Sequence, residues 1–196
     1  MNIRLRIAAP QDARLIHETF GHYVIASTAT FNEVNPSVEI RAEEIRSQLE
    51  TYPWLIAEDE TGRFLGYACA ESFRPQTGYR YFAELTIFLA PDAPRRAGVG
   101  RRLYEALLPF LKRQGFRQVL AVITSTNEAS LALHRAFGFA EAVRLTSSGY
   151  KHGQWLTSVW MVKQLNDFDS SPAPITPFCQ CRGEMEERLA ALNAEA

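Results

Sequence analysis

Arg95-Arg96-Ala97-Gly98-Val99-Gly100-Arg101-Arg102 follows the apolar, β-branched run Ala83-Glu84-Leu85-Thr86-Ile87-Phe88-Leu89 and opens an amphipathic stretch. Val99, Leu103, Ala106, Leu107 and Phe110 recur there at helical spacing, so the order is strand, glycine loop, helix. Gly98 and Gly100 let the backbone approach a ligand and take positive φ. Successive N–H groups at the positive end of a helix can then converge on phosphate oxygens. With Arg95, Arg96, Arg101 and Arg102 around it, the stretch reads as a pyrophosphate cradle. The spacing Arg-x-x-Gly-x-Gly alone would equally describe a helix N-terminus with solvated arginines. A Rossmann turn needs Gly-x-Gly-x-x-Gly and a P-loop needs Gly-Lys-Ser/Thr; neither is present.

A chain of 196 residues with 46% hydrophobic content can bury one full core. We expect a domain over residues 1–165 and a linker with a helical extension over 166–196. Twenty-one basic residues against 22 acidic give a net charge of −1, which provides no global field for nucleic acid or an anionic membrane. Cys69, Cys179 and Cys181 have no framework spacing and imply a reduced, cytoplasmic setting. Arg4 and Arg6 interrupt any signal-like core, and no uncharged run approaches the length of a membrane span. His17, His22 and His152 lack metal-ligand spacing, and Cys179-x-Cys181 has no second pair, so no metal is expected.

Periodicity places a strand at 3–8, a helix from Pro10 to about Tyr23, and a loop over 24–36. A helix at about 38–51 follows, with Ile40, Ile45 and Leu49 inward. Residues 54–59 and 64–72 read as a hairpin, and 81–89 as the central strand. Beyond the helix over 98–114, where Pro109 predicts a kink, come a strand at 118–123 and a helix capped by Thr126 or Asn127 and ended by Gly138. Strands at 140–146 and 155–164 complete the domain. Met185, Leu189 and Leu192 form a narrow stripe that fits a docking or dimer-associated helix.

Arg95-x-x-Gly98-x-Gly100 after a strand, then Asn127-x-x-Ser130 and Gly138-Phe139, resembles the acetyl-CoA-binding core of the GNAT N-acetyltransferases. Ser27-Thr28-Ala29-Thr30-Phe31, Tyr52-Pro53-Trp54-Leu55-Ile56-Ala57-Glu58, Tyr79 with Glu84, and Tyr150-Lys151-His152-Gly153-Gln154-Trp155 resemble the phosphinothricin N-acetyltransferase branch. The likeness spans roughly residues 1–165. It implies an α/β fold with a mixed, mostly antiparallel sheet, a V-shaped splay at its centre and about four flanking helices. It also implies acetyl-CoA as co-substrate, a small amine acceptor and a homodimer with the strands and loop around 145–160 in its interface.

By the same resemblance, Arg95, Arg96, Ala97, Gly98, Val99, Gly100 and Arg101 hold the pyrophosphate. Ile87, Phe88 and Leu89 form the platform for the pantetheine arm. Glu84 matches the branch's proposed general base; burial among aromatic groups would raise its proton affinity, whereas a plain strand carboxylate would simply be solvated. Asn127, Ser130 and His134 share one helical face, which aims them at one ligand. Asn127 and Ser130 are expected to contact the cofactor. His134 stands where many relatives carry the tyrosine that reprotonates the CoA thiolate, although a lone helical histidine is commonly a satisfied core residue. Arg74 is a candidate clamp for a carboxylate or phosphinate. Phe31 and Tyr79 are candidate pocket walls.

Thr157 replaces the branch's aspartate in Lys-x-Gly-x-Trp-x-Asp, Phe88 stands where some relatives have tyrosine, and Gln76 occupies a position that can be basic. The leading expectation is acetylation of the α-amino group of a small amino acid such as phosphinothricin, methionine sulfoximine or methionine sulfone. A protein or peptide amine acetyltransferase would need an open groove instead. A non-catalytic CoA-sensing module would need neither Glu84 nor His134.

Overall fold

The computed structural model describes residues 2–194. In chain order the elements are β1 (Ile3–Ile7), α1 (Ala13–Ala26), α2 (Val38–Gln48), β2 (Trp54–Asp59), β3 (Phe64–Ser72), β4 (Phe82–Leu89), α3 (Val99–Gln114), β5 (Gln118–Thr124), α4 (Glu128–Ala136), β6 (Ala140–Lys151), β7 (Gln154–Gln164) and α5 (Phe178–Ala194). The strands form one seven-stranded sheet in the order β1-β2-β3-β4-β5-β7-β6, antiparallel except for the β4–β5 pair.

Helices cover both faces of the first half of the sheet, and side-chain alternation along β2 shows how. Leu55 and Ala57 join the cluster built on Leu103, Leu107 and Leu111 of α3. Trp54 and Ile56 join Ile16 of α1 and Ile45 of α2. A strand buried on both sides reads as a continuous apolar run, as Trp54-Leu55-Ile56-Ala57 does. None of the helices among the described residues is long and apolar enough to cross a membrane.

The centre of the sheet opens as the resemblance implied. β4 and β5 pair only through Phe82↔Gln118, Ala83↔Val119 and Glu84↔Leu120. Past Glu84, β4 stays with β3 as far as Leu89↔Gly66, while β5 stays with β7 as far as Thr124↔Ser158. The two parallel strands therefore diverge from Glu84 onward.

Several boundaries differ from the periodicity. α1 runs to Ala26, and Ile40 is 54% exposed while Ile45 is fully buried. The last hairpin extends to a tight turn at His152-Gly153 with φ of 52° and 75°. Positive φ at both central residues matches the right-handed twist of the flanking strands, so what read as a loop is paired strand. α3 continues through Pro109 as one helix. The carbonyl of Glu105, four residues earlier, loses its helical donor there, and Arg188 of α5 donates to it at 2.6 Å. Phe178, Cys181, Met185 and Leu189 bury α5 in the α3 cluster, and the Asn193 amide exchanges two hydrogen bonds with the backbone of Leu5 on β1.

Candidate active site

Two cavities, of about 290 and 390 Å³, meet where β4 and β5 part; Ala29, Glu84, Thr86, Phe88 and Val122 line both. Period-two alternation puts Glu84, Thr86 and Phe88 on one face of β4.

The smaller cavity runs along the open edge of β4 to the start of α3 and the α4 face bearing Asn127, Ser130, Leu133 and His134. The N–H of Ala90 bonds to Leu65 of β3 at 2.9 Å. Alternation then turns the backbone groups of Ile87 and Leu89 toward the β5 side, where no strand pairs with them, and those of Phe88 toward β3. Phe88 thus contributes its ring rather than its backbone. On the open edge, the Leu89 carbonyl already accepts from Tyr23 Oη at 2.9 Å.

Gly98 is the N-cap of α3 at φ 86°, and a Cβ built on it meets nothing within 4 Å. That position needs glycine for its backbone angle, and the space above it is open to a ligand. Gly100 has a different reason from the one expected: its φ is not positive, and a Cβ there would lie 3.1 Å from Leu133 and 3.4 Å from Ile87. Its glycine lets α3, α4 and β4 converge at the cavity. Arg95, Arg96 and Arg101 are exposed around the helix start, with Arg96 at φ 59°, and Arg101 pairs with Glu105 at 2.9 Å. Ala97 is half-buried and Val99 buried beneath them. Arg102 leaves the group, because its guanidinium donates to the Leu192 carbonyl of α5.

On α4, Asn127 caps the helix by accepting from the Ser130 N–H at 3.2 Å. His134 is 1% exposed. Its Nδ1 lies 2.7 Å from the Ser130 carbonyl, an acceptor only, and its Nε2 lies 2.9 Å from the Tyr104 hydroxyl. The tautomer that satisfies both is neutral, with Nδ1 donating and Nε2 accepting, and burial lowers its affinity for a further proton. In that arrangement both ring nitrogens are committed, Nδ1 to the Ser130 carbonyl and Nε2 to the Tyr104 hydroxyl.

The larger cavity is walled by Phe20, Phe31, Trp54, Tyr67 and Phe88 and holds Glu84 at its junction with the smaller one. Burial raises the Glu84 carboxyl above its ordinary range, and the charge of Arg74 partly opposes that. Phe31 is set by β6, since a Cβ at Gly149 would fall 2.4 Å from its ring. Its loop is fixed by Lys151, whose Nζ donates to Thr30 at 2.8 Å and Tyr23 at 3.3 Å, and by Thr124, which donates to the Thr28 carbonyl. Arg74 and Tyr79 line neither cavity. Arg74 sits over Phe73 at 4.5 Å and Tyr79 packs on the same ring, 47% exposed. Trp155 is exposed against Tyr150 at the hairpin tip, and Thr157 Oγ1 accepts from the Ser147 N–H at 3.3 Å beside a β6 bulge.

Sequence reasoning missed Arg41, Glu44, Gln48 and Glu71, all of which line the larger cavity. Arg41 and Glu44 lie three residues apart on α2, and that spacing was the available signal. Glu71 becomes visible only through the register that sets it opposite Glu84.

A profile of the family described as "Acetyltransferase (GNAT) domain" matches residues 5–160. The chain is 38% identical over 169 residues to a phosphinothricin N-acetyltransferase of Alcaligenes faecalis, covering 85% of each chain. It is 32% identical over 164 residues to an L-methionine sulfoximine/L-methionine sulfone acetyltransferase of Salmonella typhimurium, covering 83% of this chain and 95% of that one. Among solved structures, a GNAT superfamily phosphinothricin acetyltransferase from Sinorhizobium meliloti in complex with AcCoA superposes with a TM-score of 0.83 at 35% identity, over 91% of this chain and 99% of the other. A sheet splayed at Glu84, a glycine-capped helix facing the gap and these likenesses together identify the chain as a member of the GNAT family of acetyltransferases.

Proposed function

We propose that the chain transfers an acetyl group from acetyl-CoA to the α-amino group of a small amino-acid-like molecule, of the phosphinothricin or methionine sulfoximine kind, by direct attack. The observation that carries this reading is the meeting of two cavities at Glu84, Thr86 and Phe88. The smaller has features suited to CoA: open backbone groups on β4, free space above Gly98, and the α3 N-terminus flanked by exposed arginines. Acetyl-CoA brings an activated thioester. Ile87 and Leu89 orient the pantetheine arm through the unpaired edge of β4, with Asn127 and Ser130 on the facing wall.

In the larger cavity, Glu84 takes the proton that an α-ammonium must lose before its nitrogen can attack. Its raised proton affinity suits that role, because a base is most effective when it titrates nearer the working pH. His134 and Tyr104 fix the α3–α4 wall instead of exchanging protons. Arg74, outside the cavity lining but within electrostatic reach of Glu84, is the cation assigned to the acid group of the amino acid in this reading. A volume of about 390 Å³ under an anchored Phe31 loop suits a small amine better than a polypeptide.

The test is release of free CoA thiol from acetyl-CoA with a panel of amino acids that includes phosphinothricin, methionine sulfoximine and methionine sulfone. Acceptor-dependent release is expected. Release only with peptides, or with none of these amines, would refute the proposal.

A further inference from the structure

Arg41 on α2 is the single cation among the described residues that line the larger cavity, and its side chain is 11% exposed. Its Nη1 pairs with Glu44 at 2.7 Å and its guanidinium lies over the Phe20 ring at 5.1 Å, so two contacts hold the group in place. A guanidinium carries five N–H donors. Glu44 is its one side-chain acceptor among the described residues, and the buried Nε–H has no partner there. A buried donor left unpaired costs free energy that a bound oxygen would recover.

Glu44 offsets the charge of Arg41 without using up its donors. What remains suits an oxygen carried on sulfur or phosphorus, which can accept from the arginine fork whether it is neutral or anionic. The two cations act at different places. The Arg74 charge acts on Glu84 of β4, and the Arg41 charge acts on Tyr67, Cys69 and Glu71 of the neighbouring β3. Burial, then the charges of Glu84 and Glu44, raise the Glu71 carboxyl toward its neutral form, which lessens the repulsion that an anionic tail would meet. We propose that Arg41 determines acceptor specificity by holding the side-chain oxygen common to methionine sulfone, methionine sulfoximine and phosphinothricin, and so selects these over amino acids that lack it. This rests on the assignment of the larger cavity to the acceptor, with its amine at Glu84. Arg41 keeps its proton and takes no part in the transfer.

The experiment compares kcat/KM for methionine, methionine sulfone and phosphinothricin in the wild-type protein, Arg41→Gln and Arg41→Lys, with acetyl-CoA binding measured by calorimetry in each. Methionine and its sulfone differ only in the two sulfonyl oxygens. Wild type is expected to favour the sulfone and phosphinothricin over methionine by at least about tenfold, because a site built to hydrogen-bond a group rejects the analogue without it. Arg41→Gln should bring both preferences down at least to parity. Arg41→Lys keeps a cation for Glu44 without the fork and should lower them several-fold; this variant decides if Arg41→Gln no longer binds acetyl-CoA. A wild-type protein with no preference over methionine overturns the proposal, as do unchanged preferences in the deciding variant. So does an Arg41→Gln protein that binds acetyl-CoA but loses all three acceptors in equal measure, since Arg41 would then serve the shape of the cavity. Turnover of methionine as good as that of the sulfone and phosphinothricin defeats this inference alone, while absence of turnover with every amine defeats the acceptor-cavity assignment itself.

Discussion

The hydroxyl of Tyr104 on α3 lies 2.9 Å from Nε2 of His134 on α4, with both side chains buried, and supplies the proton that this nitrogen accepts. Tyr104→Phe leaves Nε2 buried without a donor, which costs about 1–3 kcal/mol and should lower the melting temperature by several degrees. Because the ring is neutral in the native state and its proton affinity is lowered, the unfolded chain binds more protons below about pH 6.5. Stability therefore falls as pH drops through that value, and His134→Phe should flatten this dependence in melting curves taken from pH 5 to 8. The kcat of Tyr104→Phe should stay within about threefold of wild type; a loss of 10²-fold or more would restore a proton-transfer role to the pair.

As the proposed general base, Glu84 must be ionised to act, so protonation would stop it. Burial raises its pKa, placing the acid limb of the rate profile above the ordinary carboxylate value of about 4.3, with activity lost as pH falls through it. Glu84→Gln should reduce kcat by about 10²–10⁴ at neutral pH, with partial recovery as free amine accumulates at higher pH. Arg74→Ala removes the charge that opposes the shift and should move the limb to higher pH, as rate profiles of the two variants would show.

The two glycines of the cradle should fail differently. Gly98→Ala forces an L residue to φ 86°, a cost on the order of 1 kcal/mol, and should weaken acetyl-CoA binding measured by calorimetry. Gly100→Val drives a branched side chain against Leu133 and Ile87, so the melting temperature should drop as well. Equal stability in both variants would contradict the packing reason given for Gly100.

Gly149→Ala places a methyl group where the Phe31 ring now sits. Steady-state kinetics should show the acceptor KM rising several-fold while the KM for acetyl-CoA changes little. Parallel changes in both would mean that the loop does not belong to the acceptor side.

The β6–β7 hairpin exposes Val143, Leu145, Tyr150 and Trp155. The register puts Val143 and Leu145 on one face of it and Tyr150 with Trp155 on the other, and apolar side chains exposed along a paired hairpin favour a two-fold dimer through it. Sedimentation should find a dimer at micromolar concentration, and Trp155→Glu should shift it toward monomer.

Much of this fold is legible in local pattern. The run Trp54-Leu55-Ile56-Ala57, the α3 stripe and the glycine after the central strand announce their elements because each obeys a single period. Ile40 misled because a helix with short apolar spacing leaves several possible inward faces, and only the neighbouring helix selects one. At the site, Glu84, Asn127 and Ser130 could be named from motif spacing, since each sits at a fixed offset from the glycine loop or the α4 cap. Glu71 could not be named that way. Its place depends on how two strands joined by a nine-residue connection align, and a one-residue slip would have turned it to the opposite face. The hydrogen bonds of His134 were hidden for a similar reason, as Tyr104 lies thirty residues away on another helix.

The missing rung at Pro109 gives α3 an order of completion. The Glu105 carbonyl can receive its donor only once Arg188 has been made, 83 residues later in synthesis. Arg102, beside the glycine loop, likewise waits for Leu192. During translation α3 would emerge early yet remain open on its far side until α5 has also left the ribosome. Emergence of α5 is thus the event that closes it.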